Sequence, residues 1–249
     1  MGIFEGLFDD AALFPPGNLP LAEAIPAHRA HRQSWYSALV GPFVCPADRA
    51  GAVPLPVSLI LRDGPESLPQ VQRQARELRA VEMPVPGGMN PTDAARALEK
   101  HLPDNVPGYL ELPWDDLDAL AGTRIRAKFR TGPAPSDTAL AGAIRDAVDR
   151  DLAFKCTAGL HHAIRAGQQH GFLNILLATD AALQGANRAD LAALLAERSA
   201  EQVVHLVDQV TAAGRWDAAR AVFTSFGTCS IVEPIADLVA LGLLGGGAR

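Results

Sequence analysis

Eight short segments of strand character recur along this chain, most of them separated by stretches of helical periodicity. That alternation constrains the fold more than any other feature. The segments are Ile3–Phe8, Trp35–Val44, Pro56–Arg62, Ala80–Pro84, Gly108–Leu112, Arg124–Arg130, Leu152–Thr157 and Ala221–Phe226. They are rich in β-branched, aromatic and leucine residues and are bounded by Gly, Pro or Asp, which punctuate extended chain. Helical patterns fill Pro20–Arg32, Leu68–Arg79, Pro91–Lys100, Trp114–Leu120 and Ser136–Arg150, with Ser136 placed to cap the last of these. Eight such alternations within 249 residues predict a single-domain (β/α)8 barrel, the TIM barrel. The link between the second and third strands leaves little room for a helix. The stretch from Leu160 to Arg220 is too long for one crossover and predicts a helical insertion, about residues 160–220, before the last strand. It is expected to form a lid over the active end or an oligomer contact, with its apolar run Phe172–Leu177 buried. An open doubly wound sheet is the competing architecture, but no GxGxxG follows the first strand.

In a barrel, alternate residues of each strand face the lumen and the surrounding helices. The apolar face must meet the helices, so the other face points inward. In RIRAKFRTG, Ile125, Ala127 and Phe129 go outward and Arg124, Arg126, Lys128 and Arg130 inward. The same reading turns Ser58, Ile60 and Arg62 inward, then Glu82, then Tyr109 and Glu111, then Lys155 and Thr157. Five strands thus converge polar groups on one lumen. Barrel interiors are normally filled with branched apolar side chains, so charge there must be paired or used. A structural ion network of Glu82 and Glu111 with Lys128, Arg130 and Lys155 is the plain reading. A functional site is the sharper one.

Composition narrows the partners. A net charge of -6 gives no basic footprint for nucleic acid or an anionic membrane, which leaves a small anionic molecule as the expected ligand. The three cysteines, Cys45, Cys156 and Cys229, lack CxxC spacing and predict neither a zinc module nor a disulfide framework. The acidic start MGIFEGLFDD is unlike a signal peptide, and no apolar run is long enough to span a bilayer, so a soluble cytoplasmic protein is expected. Only Lys100, Lys128 and Lys155 among the 22 basic residues are lysines, the usage of a GC-rich genome. Two of the three fall on the predicted sixth and seventh strands, where amine and guanidinium differ in chemistry rather than in charge.

Each of those two lysines precedes a short Thr/Gly turn, in KFRTG and KCTAG. Neighbouring ammonium groups lower each other's pKa, and a neutral amine can attack a carbonyl carbon. The arrangement resembles the class I, Schiff-base aldolases of the deoxyribose-phosphate aldolase type, over about a fifth of the chain. The resemblance implies a carbonyl-attacking lysine on strand six, Lys128, a partner lysine on strand seven, Lys155, and Glu111 or Glu82 as acid/base. The wording KFRTG and KCTAG departs from that family's KTSTG and KASGG, and the 160–220 segment is foreign to it. No cofactor is expected on this reading.

Beyond the lysines, CTAGLHHAIR and TSFGTCSIVEP place Gly and Thr/Ser turns at the ends of the last two strands. Barrels commonly bind anions there. Thr157, Gly159, His161, His162, Gly227, Thr228 and Ser230 are therefore anion-binding candidates, joined by Arg62 and Arg130. His161 and His162, with His170 and Asn174 beyond, could serve as acid/base groups or ligands. Asp9 and Asp10 with Glu82 and Glu111 could instead hold Mg²⁺ or another divalent metal, making a metal-dependent lyase or isomerase the second hypothesis. A non-catalytic ligand-binding or assembly protein is the third, and a homo-oligomer is compatible with all three.

Overall fold

The computed structural model describes residues 2–132 and 135–245. Eight parallel strands close into a barrel in chain order. They are β1 (Phe8–Asp10), β2 (Val40–Pro46), β3 (Pro56–Ile60), β4 (Glu77–Pro84), β5 (Gly108–Glu111), β6 (Arg126–Arg130), β7 (Phe154–Thr157) and β8 (Phe223–Thr228). The fold is the (β/α)8 barrel that the alternation predicts, and the doubly wound sheet is set aside.

The helices follow from the same pattern. After β1 comes α1 (Leu21–His31), after β3 α2 (Leu68–Gln74), after β4 α3 (Pro91–His101) and after β6 α4 (Asp137–Asp149). The link from β2 to β3 holds only a 3₁₀ turn, Ala47–Ala52, and that from β5 to β6 only Leu117–Leu120. Ser136 caps α4 by accepting from the Ala139 N–H at 3.1 Å, and Asn90 caps α3 by accepting from Asp93 N at 2.8 Å. Arg32 lies just beyond α1 and ties it back to β2, donating to Val40 O at 2.6 Å.

Outward faces pack as the phases require. Val57, Leu59, Val81, Met83, Leu110, Ala127, Phe129, Phe154 and Cys156 are all fully buried. Aromatic rings extend the seam: Phe129 meets Phe154 at 4.8 Å between centroids, and Phe154 stacks on Phe223 at 5.3 Å.

Several segments differ from the sequence reading. The second strand begins at Val40, not Trp35, because Ser37–Leu39 form a 3₁₀ turn. The helix expected over Leu68–Arg79 ends at Gln74, with Glu77–Arg79 joining β4, and that expected over Trp114–Leu120 is only the 3₁₀ turn Leu117–Leu120. The last strand is Phe223–Thr228, not Ala221–Phe226, because Ala221 and Val222 close the preceding helix. The first strand begins at Phe8, not Ile3, because Phe4 to Leu7 turn beneath the barrel, with Leu7 N donating to Phe4 O at 3.2 Å. The 160–220 segment forms α5 (Phe172–Leu183), α6 (Arg188–Ala196), α7 (Ala200–Ala212) and α8 (Trp216–Val222), and α9 (Val232–Ala240) follows β8. The four helices are not a lid. Phe172 packs against Phe8 at 5.4 Å and Phe226 at 5.1 Å on the outer wall, so α5 is the ordinary crossover helix between β7 and β8. The helices α6 and α7 stack outside it, α6 against α4 and α5. A chain run of this length says that extra helices exist, not on which side of the wall they lie.

The expected burial of Phe172–Leu177 holds along the whole run. Phe172→Ala should therefore cost about 3–5 kcal/mol of stability, read as a shift in the denaturation midpoint. Native α5 should resist limited proteolysis, and rapid cleavage within it would contradict this packing.

Candidate functional site

The lumen contains a column of alternating charge. At its base Asp9, from β1, accepts on Oδ2 from Lys155 Nζ at 2.5 Å and from Ser225 Oγ at 2.9 Å. Lys155, on β7, donates onward to Glu82 Oε1 at 2.7 Å, and Ser58 Oγ donates to the same oxygen at 2.8 Å. The other Glu82 oxygen, Oε2, takes Lys128 Nζ at 3.0 Å. Lys128 also meets Glu111 Oε2 at 3.0 Å, and Arg130 Nη1 lies 3.7 Å from Glu111 Oε1. Three carboxylates thus alternate with three cations, drawn from strands β1, β4, β5, β6 and β7.

Register explains why these side chains meet. Lys128 and Lys155 are Cα partners between β6 and β7, and Glu111 is the partner of Lys128 on the other side. Glu82 pairs with Ile60 and Tyr109 on the neighbouring strands, which sets its carboxylate across the lumen from the lysines. Gly41 on β2 makes room for the base of the column: a Cβ there would stand 2.2 Å from Asp9 Oδ1. Tyr109 lies beneath Lys155, whose ammonium sits 5.3 Å from the ring centroid.

Burial and charge compete at each group. Lys155 is 1% exposed and Glu82 1% exposed. Burial disfavours both charged forms, but contact with the opposite charge wins. For Lys155, burial would lower the pKa, and Asp9 and Glu82 more than offset it, raising it above 10.5. For Glu82, burial would raise the pKa, and Lys155 and Lys128 more than offset it, holding it below 4.5. Asp9 goes the other way: burial raises it above 3.8 despite Lys155. The expectation that the two lysines depress each other fails for Lys155. One carboxylate stands between them, and sequence cannot show which acid fills that gap.

Above the column, the C-terminal mouth of the barrel holds a cavity of about 410 Å³. Arg62, Glu82, Glu111, Lys128 and Arg130 line it, as do Thr157, Gly159, His161 and Gly227. Those nine candidates share one space. Lys155 does not line it, lying buried one step below. Thr228 and Ser230 do not line it either, because they bond to each other in a turn: Thr228 Oγ1 donates to Ser230 O at 3.0 Å. His162 is likewise turned away, its Nδ1 3.2 Å from Asp237 Oδ2 on α9. Gly/Thr/Ser turns serve as structural turns as readily as anion cradles, which is why the sequence alone overcounts them.

The loop after β7 is held in an uncommon conformation. Ala158 and Gly159 take φ of 62° and 74°, and Thr131 Oγ1 donates to Ala158 O at 2.5 Å across the β6–β7 rim. His161 reaches Glu233 Oε2 at 3.2 Å, and Cys229 Sγ lies 3.7 Å from the same ring nitrogen. Burial raises the Cys229 thiol, which disfavours a thiolate. His170 and Asn174 are structural: His170 contacts Pro135 O and Arg165, and Asn174 bonds the carbonyls of Leu194 and Glu197.

The acidic set proposed for a divalent metal does not converge. Asp10 turns outward to His28 on α1, at 2.9 Å, while Asp9 and Glu82 are occupied by lysines. Among the described residues, no group of three His, Cys, Asp or Glu side chains is placed to hold a metal ion. No helix among them is long and apolar enough to cross a membrane.

Several site groups escape sequence reading. Thr224 and Ser225 both face inward because β8 carries a register shift, with Phe154 opposite Phe223 but Cys156 opposite Phe226. Strict alternation would send one of them outward. Arg124, expected inward, precedes β6 and instead donates to the carbonyls of Leu102 and Pro103 below the barrel.

No protein-family model, no curated protein and no solved structure matches this chain.

The charge column makes a signed prediction for pH. Glu82 is held below 4.5, so its stabilisation is complete above that pH and is lost as pH falls below it. Asp9 opposes this, since a raised carboxyl pKa makes stability fall as pH rises through 3.8. Glu82→Gln should cost about 3–5 kcal/mol at neutral pH by leaving two ammonium groups short of charge. It should also flatten the loss of stability between neutral pH and pH 3, measured by chemical denaturation. An unchanged acid limb would contradict the assignment.

Proposed function

We propose that this protein is a lyase of the aldolase type, forming a Schiff base between Lys128 and a small anionic carbonyl compound. One observation carries the reading. Lys128 is the lysine that lines the mouth cavity while touching two carboxylates from different strands, Glu82 and Glu111. The similarity in strand placement to class I aldolases supports it, with Lys128 on β6 and Lys155 on β7.

The chemistry follows from charge. To react, the Lys128 ammonium passes a proton to Glu111, the more exposed of its two carboxylates, with 24% of its side chain accessible. The free amine adds to the carbonyl carbon. Glu111 returns that proton to the oxygen and then relays a second one from the adduct's nitrogen, so that the oxygen leaves as water. The product iminium carries the same single positive charge as the ammonium it replaces, so Glu82 and Glu111 stabilise both. Glu111 then takes the proton of the substrate's β-hydroxyl, and the electrons of the Cα–Cβ bond flow into the iminium and release one carbonyl fragment. Glu111 returns that proton to the enamine carbon, and addition of water to the iminium frees the second fragment and Lys128. Lys155 does not react on this scheme. As a fixed cation it keeps Glu82 ionised and in place. Arg130 and His161 at the rim supply the attraction for the anionic end of the substrate, and Arg62 on the opposite rim adds to the positive field over the mouth.

Borohydride trapping with a panel of phosphorylated aldehydes and 2-oxo acids tests this, with the adduct located by peptide mass. The mass should fall on the peptide carrying Lys128. Lys128→Arg should abolish trapping and turnover although it keeps the charge, because guanidinium stays protonated. Glu111→Gln should slow turnover about 10²–10⁴-fold with the fold intact. A purely structural ion network reverses the order: Lys128→Arg would be tolerated and Glu111→Gln would lower the melting temperature. Full turnover in Lys128→Arg would remove the Schiff-base reading.

A further inference from the structure

The lining of the mouth is divided by strand. On the β1–β4 side it consists of Ala11, Phe14 and Pro15 after β1, Val44 on β2, Ile60 on β3 and Pro84 on β4. On the β5–β8 side it carries Glu111, Lys128, Arg130, Thr157 and His161, with the backbone of Gly159. Because the strands close in chain order, these two arcs face each other across the opening. In an eight-strand ring β6 stands opposite β2, so Lys128 looks across at Val44, which is 3% exposed, flanked by Ile60 and Ala11. Arg62 is the exception on the apolar arc, and it is an exposed residue beyond the end of β3 at the rim. Glu82 also belongs to β4, but its two oxygens are already taken by Lys155 and Lys128 below the cavity.

We infer that the substrate is amphipathic: a carbonyl compound bearing an anionic group on one side of the carbonyl and an alkyl or aryl group on the other. This rests on the Schiff-base reading of Lys128 but adds the shape and polarity of what it takes. The anionic group lies on the arc of Arg130, His161 and Gly159, beside the lysine. The remaining substituent must then cross the opening. There it meets a wall with no hydrogen-bond donor or acceptor side chain between Ala11 and Ile60. A chain carrying hydroxyls beyond the one that aldol cleavage requires would lose its water there without a partner, whereas an apolar chain gains by burial. Val44, Ile60 and Phe14 are the residues that set this preference.

Calorimetric binding of pyruvate, 2-oxobutyrate and 2-oxopentanoate measures it directly. Each added methylene should tighten binding about fourfold, equivalent to about 0.8 kcal/mol per buried CH₂. Val44→Thr keeps the side-chain size, Ile60→Thr shortens it by one carbon, and both place a hydroxyl in the apolar wall, so the increment should fall below about twofold per methylene. That increment is a ratio within one variant, so a general loss of affinity does not imitate it. A flat series in the native protein, failure of all three acids to bind at millimolar concentration, or an undiminished increment in both variants would overturn the inference. Borohydride on the same complexes separates it from the reading beneath it. Acids that bind with the expected increment but leave no adduct on Lys128 would sink the Schiff base and leave the divided mouth standing.

Discussion

The carboxylate of Glu82 is the interaction on which the interior of this barrel depends. One oxygen receives Lys155 and Ser58, the other receives Lys128, and the whole group is buried. Without it, two ammonium groups on adjacent strands at the same register would repel across a low-dielectric lumen. With it, Lys155 becomes a permanent cation and Lys128 is held at the floor of an open cavity. A conventional barrel fills this space with apolar layers. Here the charges are spent in pairs, an arrangement that offers little stability over an apolar core and is easily damaged by losing one member.

The column also separates two environments. Asp9, Ser225 and Tyr109 border a second cavity of about 350 Å³ at the opposite end of the barrel, rimmed by Arg32 and Arg79. Glu82 and Lys128 border the mouth. Lys155 lies between and lines neither. The mouth is therefore electrostatically anchored from below by Asp9, Ser225 and Lys155, none of which lines it.

Much of this was legible before any coordinates. Outward faces had to be apolar to meet helices, and that condition alone turned Ser58, Glu82, Glu111, Lys128 and Lys155 toward one lumen, where they lie. What sequence missed has specific causes. The register shift in β8 brings Thr224 and Ser225 inward together, and alternation has no way to announce a bulge. The length of the 160–220 segment exceeds a crossover and so suggests a lid or an oligomer contact, yet length is silent about which side of the wall receives the extra helices. Thr228, Ser230 and His162 share the vocabulary of anion cradles with that of ordinary turns and helix contacts. The lysine pair was expected to perturb itself, because adjacent lysines are visible in a sequence whereas the acid that comes between them, Glu82 from β4, belongs to a distant strand.

The chain holds three lysines in three situations: Lys100 exposed on α3, Lys128 at the floor of the mouth, and Lys155 sealed between two carboxylates. Timed reductive methylation of the native protein, mapped by mass spectrometry, reads all three at once. Lys100 should be modified first and Lys128 more slowly through the mouth, while Lys155 stays unmodified until the protein unfolds. Modification of Lys155 at the rate of Lys128, or complete protection of Lys128 in the native state, would contradict the division of labour that the shared carboxylate imposes.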